Sequence, residues 1–379
     1  ENGVGKSSVL KAAALVTAGS DALVELVHDV DVWVRTGSGH AAIRAELVTS
    51  KNEVREIGLE LYRGEGPSQL LRRNQASLEA LDSALAHSAR NYFVAGVGAS
   101  RRLTRGDSPN LSGRSSHYRH VRAQSVATLF DSEATLKSLE LWAMELDYTR
   151  GLDIVSNLLS DLLPGLHFAG IDKQSGQLLF ETPDGVISLG QLSEGFQNMC
   201  AWVGDLAHRL TTVFDDYHSP FSARGLFLLD ELELHLHPRW QRKLIDFLRQ
   251  RLPNFQILAT THSPLAAQQT QENELYILQR EGREVQVSPF EGNASSLLLS
   301  QLVTSPAFGL ETDASRETEH LRRRYVELRD KKRSLDEDSE FAGLVQDLGS
   351  RPEGGRSNLL LSEQQLAFLS KLEDAQRSS

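Results

Sequence analysis

The sequence predicts an α/β chain: a mixed sheet with a parallel core, a helical insertion and a helical C-terminal tail. Three observations predict it. Residues 194–260 read helix, strand, helix, strand, an order that leaves the two strands parallel in one sheet. Residues 41–49 and 54–63 alternate apolar and polar side chains, the period of half-buried strands. After residue 313 the chain becomes strongly charged at helical spacing.

In order, the Ala-rich run 9–20 reads as a helix entered from a glycine-rich turn. Residues 25–36, 41–49 and 54–63 read as a meander of strands, 68–90 as a helix and 91–97 as a buried strand. Residues 98–122 lack an apolar period and are rich in Ser, Gly, Arg and His, which predicts a long loop. Helices are expected over 133–147 and 151–163, then a hairpin over 166–189 with turns near Ser175-Gly176 and Asp184-Gly185. A helix follows Ser193 to about residue 213. Next come the apolar strand 225–230, an amphipathic helix 239–251, the strand 255–260 and a short helix from Pro264. Strands near 274–280 and 283–289 precede a charged helix 313–333, a solvated acidic stretch 335–340, a linker 349–357 and a last helix 362–375.

The 379 residues carry 51 acids against 40 Lys+Arg, a net charge of -11. That argues against a basic nucleic-acid-coating protein, while leaving room for a local basic patch. One cysteine, Cys200, excludes an internal disulfide and a Cys-based zinc site. No apolar run approaches the ~20 residues of a spanning helix, and no signal peptide is expected, so the expected setting is cytoplasmic, with no membrane contact.

Four segments carry chemistry. Gly3-Val4-Gly5-Lys6-Ser7-Ser8 supplies the end of a P-loop, G-x-x-x-x-G-K-[ST], whose first glycine is expected just ahead of Glu1. Glycines let backbone N–H groups converge on phosphate oxygens, and the following helix adds its dipole. Lys6 would reach the β/γ-phosphates and Ser7 would ligate Mg²⁺. Gly225-Leu-Phe-Leu-Leu-Asp230-Glu231 is an apolar strand delivering two acids, as in a Walker B element: Asp230 for Mg²⁺, Glu231 as general base. Leu192-Ser193-Glu194-Gly195 resembles the signature motif of ABC-type ATPases, in which Ser193 and Gly195 would meet the γ-phosphate held by an opposite subunit. Thr260-Thr261-His262-Ser263-Pro264 resembles the switch-histidine element, with His262 contacting the γ-phosphate. Each also has a plainer reading: a Gly-rich turn, solvated acids at a strand end, a helix cap, a structural histidine. Together, in the order the ABC class requires, they predict a P-loop NTPase of ABC-ATPase type that binds ATP and Mg²⁺.

The run Asp230-Glu231-Leu-Glu233-Leu-His235-Leu-His237-Pro238 is more specific. It resembles the Asp-Glu-x-Glu-x-His-Leu-His-Pro run of the RecF/SMC-like and overcoming-lysogenization-defect-like ATPases and of AAA-family ATP-binding proteins of bacterial defence loci. Gly98-Ala-Ser-Arg101 resembles the Tyr-Gly-x-x-Arg strand end of that group, with Val97 in place of the Tyr. The resemblance covers residues 1 to about 310; the stretch 304–333 is more weakly similar to the tail of Septu- and retron-associated ATPases. It implies a homodimer that clasps ATP beside a separate HNH-type nuclease subunit.

The chain is expected to divide into 1–97 (P-loop and meander), 98–190 (helical lid insertion with a basic loop), 191–303 (signature, Walker B and switch histidine) and 304–379 (charged helical tail). It is too short for long coiled-coil arms at ~1.5 Å rise per residue. Arg101, Arg102, Arg105, Arg119 and Arg122 form a basic segment suited to a phosphate backbone, an acidic partner or simply solvent. The expected function is an ATP-hydrolysing switch in antiviral defence that gates a partner nuclease. The alternatives are a RecF-like DNA-binding repair ATPase and a regulatory scaffold subunit.

Overall fold

The computed structural model describes residues 3–48, 52–87, 93–103, 120–149, 152–163, 166–214, 220–329 and 331–351. It divides into two units, Asn2–Gln269 with Leu278–Val285, and Thr270–Ile277 with Gln286–Ser379.

The first unit is built on three parallel strands in the order Phe255–Ala259, Gly225–Leu229, Phe93–Val97, with Ala95, Phe227 and Ile257 in register. The central strand is buried along its whole length, so both faces must be covered. Alternation divides its side chains between two cores. Phe93, Ala95, Val97, Phe227 and Leu229 pack with the Leu139–Thr149 and Glu194–Val213 helices. Val94, Leu226 and Leu228 pack with the Lys6–Leu15, Ser20–Leu26 and Val121–Phe130 helices. Trp202 stacks on Phe227 at 5.9 Å, so it is a packing residue, and burying such a ring contributes about 2–3 kcal/mol. Cys200 is fully buried, and burial pushes its thiol pKa up.

Of the outer strands, His40–Val48 and Val54–Tyr62 follow the alternating pattern. His40–Val48 pairs antiparallel with Val54–Tyr62. His167–Asp172, Gln177–Thr182 and Gly185–Ser188 form a three-stranded antiparallel sheet with glycines of positive φ in both turns. Tyr276–Glu281 and Glu284–Pro289 pair as a hairpin. Among the described residues no helix is long and apolar enough to cross a membrane.

Several expectations need correction. Residues 25–36 are not a strand but the end of the Ser20–Leu26 helix and a 3-10 turn, Val30–Trp33. The buried set Leu23, Leu26, Val27, Val30, Val34 recurs at three- and four-residue steps, which outweighs the local alternation. The expected meander is therefore a hairpin. The expected 68–90 helix breaks at Asn74, whose side chain accepts from Glu60 N–H (2.7 Å) and donates to Glu60 O (2.9 Å), tying the break to the neighbouring strand. The expected loop 98–122 is followed directly by a helix, Val121–Phe130, and the helix expected from 133 starts only at Leu139, after a short strand, Thr135–Leu136. Most of that loop, residues 104–119, lies outside the described residues, as does the expected helix 362–375.

In the second unit the acidic stretch 335–340 is mostly exposed, as expected, and it is helical. It opens the Leu335–Gly349 helix, capped by Ser334 accepting from Glu337 N–H, with three acids in the first turn where the dipole favours them. Tyr325 of the Arg316–Arg329 helix stacks on Phe341 at 5.1 Å.

Candidate functional site

Gly3 and Gly5 adopt φ of 73° and 101°, conformations that require glycine although a Cβ would meet nothing within 4 Å. Gly5 caps the Lys6–Leu15 helix and brings no side chain to its N–H groups, the arrangement that suits an anion. Ser7 is half-buried and Ser8 exposed in its first turn. The Lys6 pKa is lowered by burial, while the charges of Asp230, Glu231 and Glu233 pull it back up. The charges of the three acids after the central strand thus reach Lys6.

Asp230 is 7% exposed at the end of that strand, its N–H donating to Val97 O at 2.9 Å. Thr260 Oγ1 donates to Asp230 Oδ1 (2.6 Å) and accepts from Glu231 N–H (2.9 Å). Glu231 itself has φ 48°, a left-handed conformation uncommon outside glycine. Glu233 bridges to the next loop, accepting from Thr261 Oγ1 (2.6 Å) and from the His262 N–H. The His262 ring is exposed. Gln241 joins both loops to the helix Pro238–Arg251, donating to Leu236 O (2.8 Å) and accepting from Ser263 Oγ (2.6 Å). His237 caps that helix, its Nδ1 accepting from Arg239 N–H at 3.2 Å. Among the described residues no group of three or more His, Cys, Asp or Glu side chains is placed to hold a metal ion.

Ser193 is exposed at the N-cap of Glu194–Val213, and its hydroxyl makes no capping bond. Gly195 touches the turn after Asp230: a Cβ there would lie 2.7 Å from the His235 carbonyl oxygen. Gln197 Nε2 donates to Gly190 O (3.0 Å) and Leu192 O (2.7 Å), holding the segment before Ser193.

Arg101 departs from the basic segment expected to offer a surface. Arg101 is buried, with its guanidinium donating to carbonyls of the turn after Asp230, so a nucleic-acid backbone has no access to it. Arg102 lies on a short strand paired with Thr135, and Arg122 in the first turn of Val121–Phe130. Arg105 and Arg119 lie outside the described residues. Sequence reasoning quoted Thr260 and Glu233 within motifs without giving them roles, and passed over Asn198, an acceptor for Arg101. The signal for Thr260 and Glu233 was position alone: a hydroxyl and a second acid beside the expected magnesium and base residues.

Residues 115–267 match the family described as "AAA domain, putative AbiEii toxin, Type IV TA system". The Septu protein PtuA of Bacillus mycoides is 24% identical over 312 residues, 82% of this chain and 40% of that protein. The "Retron Ec83 probable ATPase" of Escherichia coli is 29% identical over 154 residues, 41% of this chain and 28% of that protein. The chain resembles Septu- and retron-associated AAA-type proteins. It spans less than half the length of these curated relatives. An SMC head solved with the C-terminal winged-helix domain of ScpA covers 76% of this chain and 88% of its own, at TM-score 0.41 and 13% identity. The region that matches the family, residues 115–267, includes Ser193, Asp230, Glu231 and the segment Thr260–Pro264.

Proposed function

We propose that the chain binds ATP–Mg²⁺ and hydrolyses ATP, closing as a homodimer on nucleotide and gating a separate nuclease subunit in antiviral defence. One observation carries the nucleotide reading. A glycine loop, a helix N-terminus and Lys6 share a site with Asp230, Glu231 and Glu233. Hard oxygen donors, the Ser7 hydroxyl and the Asp230 carboxylate, fit Mg²⁺. The ion would neutralise charge on the β- and γ-phosphates. Lys6 and the N–H groups of the Lys6–Leu15 helix would hold the same phosphates. Glu231 would take the proton of the attacking water, and His262, anchored through its N–H to Glu233, would sit beside the γ-phosphate.

Dimerisation is supported by Ser193, whose exposed hydroxyl has no capping task in its own chain and so is available to a second copy. The partner nuclease, HNH-type, rests on the resemblance of the Asp230–Pro238 run alone. Glu231→Gln is expected to bind ATP–Mg²⁺, turn it over at least ~100-fold more slowly, and accumulate as a dimer in light scattering. A mutant that hydrolyses at the wild-type rate removes Glu231 as the base; one that binds ATP but stays monomeric removes the clasp.

A further inference from the structure

Arg101 follows the Phe93–Val97 strand and is 6% exposed. Its Nη2 donates to the carbonyls of Asp230 (3.2 Å) and Glu231, and its Nη1 to the carbonyl of Leu234 (3.2 Å) and to Asn198 Oδ1 (3.0 Å). Its Nε is buried with no hydrogen-bond partner among the described residues. Burial lowers its pKa to about 10, with Glu233, Glu231 and Asp230 opposing the fall, so it stays charged at neutral pH.

Three of its four acceptors are backbone carbonyls of one turn. In that turn Glu231 has φ 48° and His235 φ 61°, conformations that side-chain-bearing residues rarely adopt without support. The fourth acceptor, Asn198, lies on the helix that Ser193 opens. The same helix meets the same turn again where Gly195 packs under the His235 carbonyl. A planar guanidinium can serve acceptors in several directions at once, whereas a lysine ammonium acts as a compact point charge.

We propose that Arg101 is a positioning residue that, through Asn198, fastens the left-handed Glu231 turn to the helix beginning at Ser193. The general base is thereby held from the element that would face the opposite nucleotide. This rests on the roles given to Glu231 and Ser193 above.

Asn198→Leu tests the tie at a half-buried position. The expected result is a roughly tenfold fall in kcat for ATP, with KM and fluorescent-ATP-analogue binding within about twofold of wild type. Asn198→Asp, which keeps an acceptor for the guanidinium, is expected to recover turnover to within about twofold. Arg101→Lys is expected to lower kcat further, about a hundredfold, again with nucleotide binding kept. Wild-type kcat in Asn198→Leu overturns the proposal, and so does equal loss in Asn198→Leu and Asn198→Asp, which would mark a merely structural position. Wild-type protein that neither binds nor hydrolyses ATP overturns the nucleotide reading and the tie together. Wild-type hydrolysis beside unaffected Asn198 and Arg101 variants overturns the tie alone.

Discussion

Thr260 serves two neighbours with one hydroxyl, donating to the Asp230 carboxylate and accepting from the Glu231 N–H. Both partners lie where a nucleotide's metal and attacking water are proposed to sit. Removing the hydroxyl leaves a buried carboxylate oxygen and a backbone donor short of a partner, which costs about 1–3 kcal/mol. Thr260→Val is therefore expected to be less stable by that amount in urea unfolding and to lose most ATP turnover. Thr260→Ser, which keeps the hydroxyl, is expected to stay near wild type in both. Equal stability of Thr260→Val and wild type would show that the bond contributes nothing net. Glu233 does for the His262 loop what Thr260 does for the Glu231 turn, so the Asp-Glu-x-Glu run ties neighbouring loops together.

The strand Phe93–Val97 and the helix Val121–Phe130 approach each other more closely than side chains allow. A Cβ on Gly98 would lie 2.0 Å from the Thr128 carbonyl oxygen, a backbone atom that cannot turn aside. Thr128 Oγ1 donates to Gly96 O (3.1 Å) and accepts from Gly98 N–H (3.2 Å). Gly98→Ala is expected to lower stability by about 3 kcal/mol, whereas Gly3→Ala, where only the positive φ resists, is expected to lose about 1 kcal/mol. Chemical denaturation of both variants checks the order, and a Gly98→Ala no less stable than Gly3→Ala would refute the close approach. This helix is also where the sequence was least legible. Its buried face is largely Ala, Ser and Thr, small residues chosen for close packing, which carry little apolar period. By contrast, Glu194–Val213 and the strand Gly225–Leu229 were readable because a helical apolar period follows the cap residue Ser193 and an unbroken apolar run ends at Asp230. The stretch 25–36 misled because its valines and aspartates alternate locally while burial follows a longer helical step. Arg101 could be placed next to a glycine motif by sequence, yet its acceptors lie about a hundred residues away or more, a distance that only folding closes.

At the scale of the whole Asn2–Gln269 unit, buried His208 and Asp205 draw exposed charged side chains around them, away from the proposed nucleotide site. His208, 7% exposed, has Lys137 Nζ at 2.7 Å from its Nε2 and Glu145 Oε2 at 3.7 Å from its Nδ1. Asp205 accepts from Arg209 at 2.6 Å and from the Lys137 N–H at 2.9 Å. Burial first, then the Lys137 charge, lowers the His208 pKa to about 4 from 6.5. Between those values the unfolded chain takes up the proton more readily than the folded one, so this group's stabilisation is full above pH 6.5 and declines as pH falls towards 4. Thermal melts of wild type are expected to drop by a few degrees more between pH 7.5 and 5 than those of His208→Gln. Parallel pH profiles would exclude His208 as the source. The division of the sheet between two cores also has a genetic consequence. Within Gly225–Leu229, neighbouring side chains belong to opposite layers, and Asp230 follows at once. A single added codon there would exchange the layers and withdraw the acid from Lys6. The same codon at the Gly282 turn between Tyr276–Glu281 and Glu284–Pro289 would lengthen only a hairpin tip. Natural length variation in this lineage should accordingly collect at such tips and spare the five-residue strand, whatever the side chains around it do.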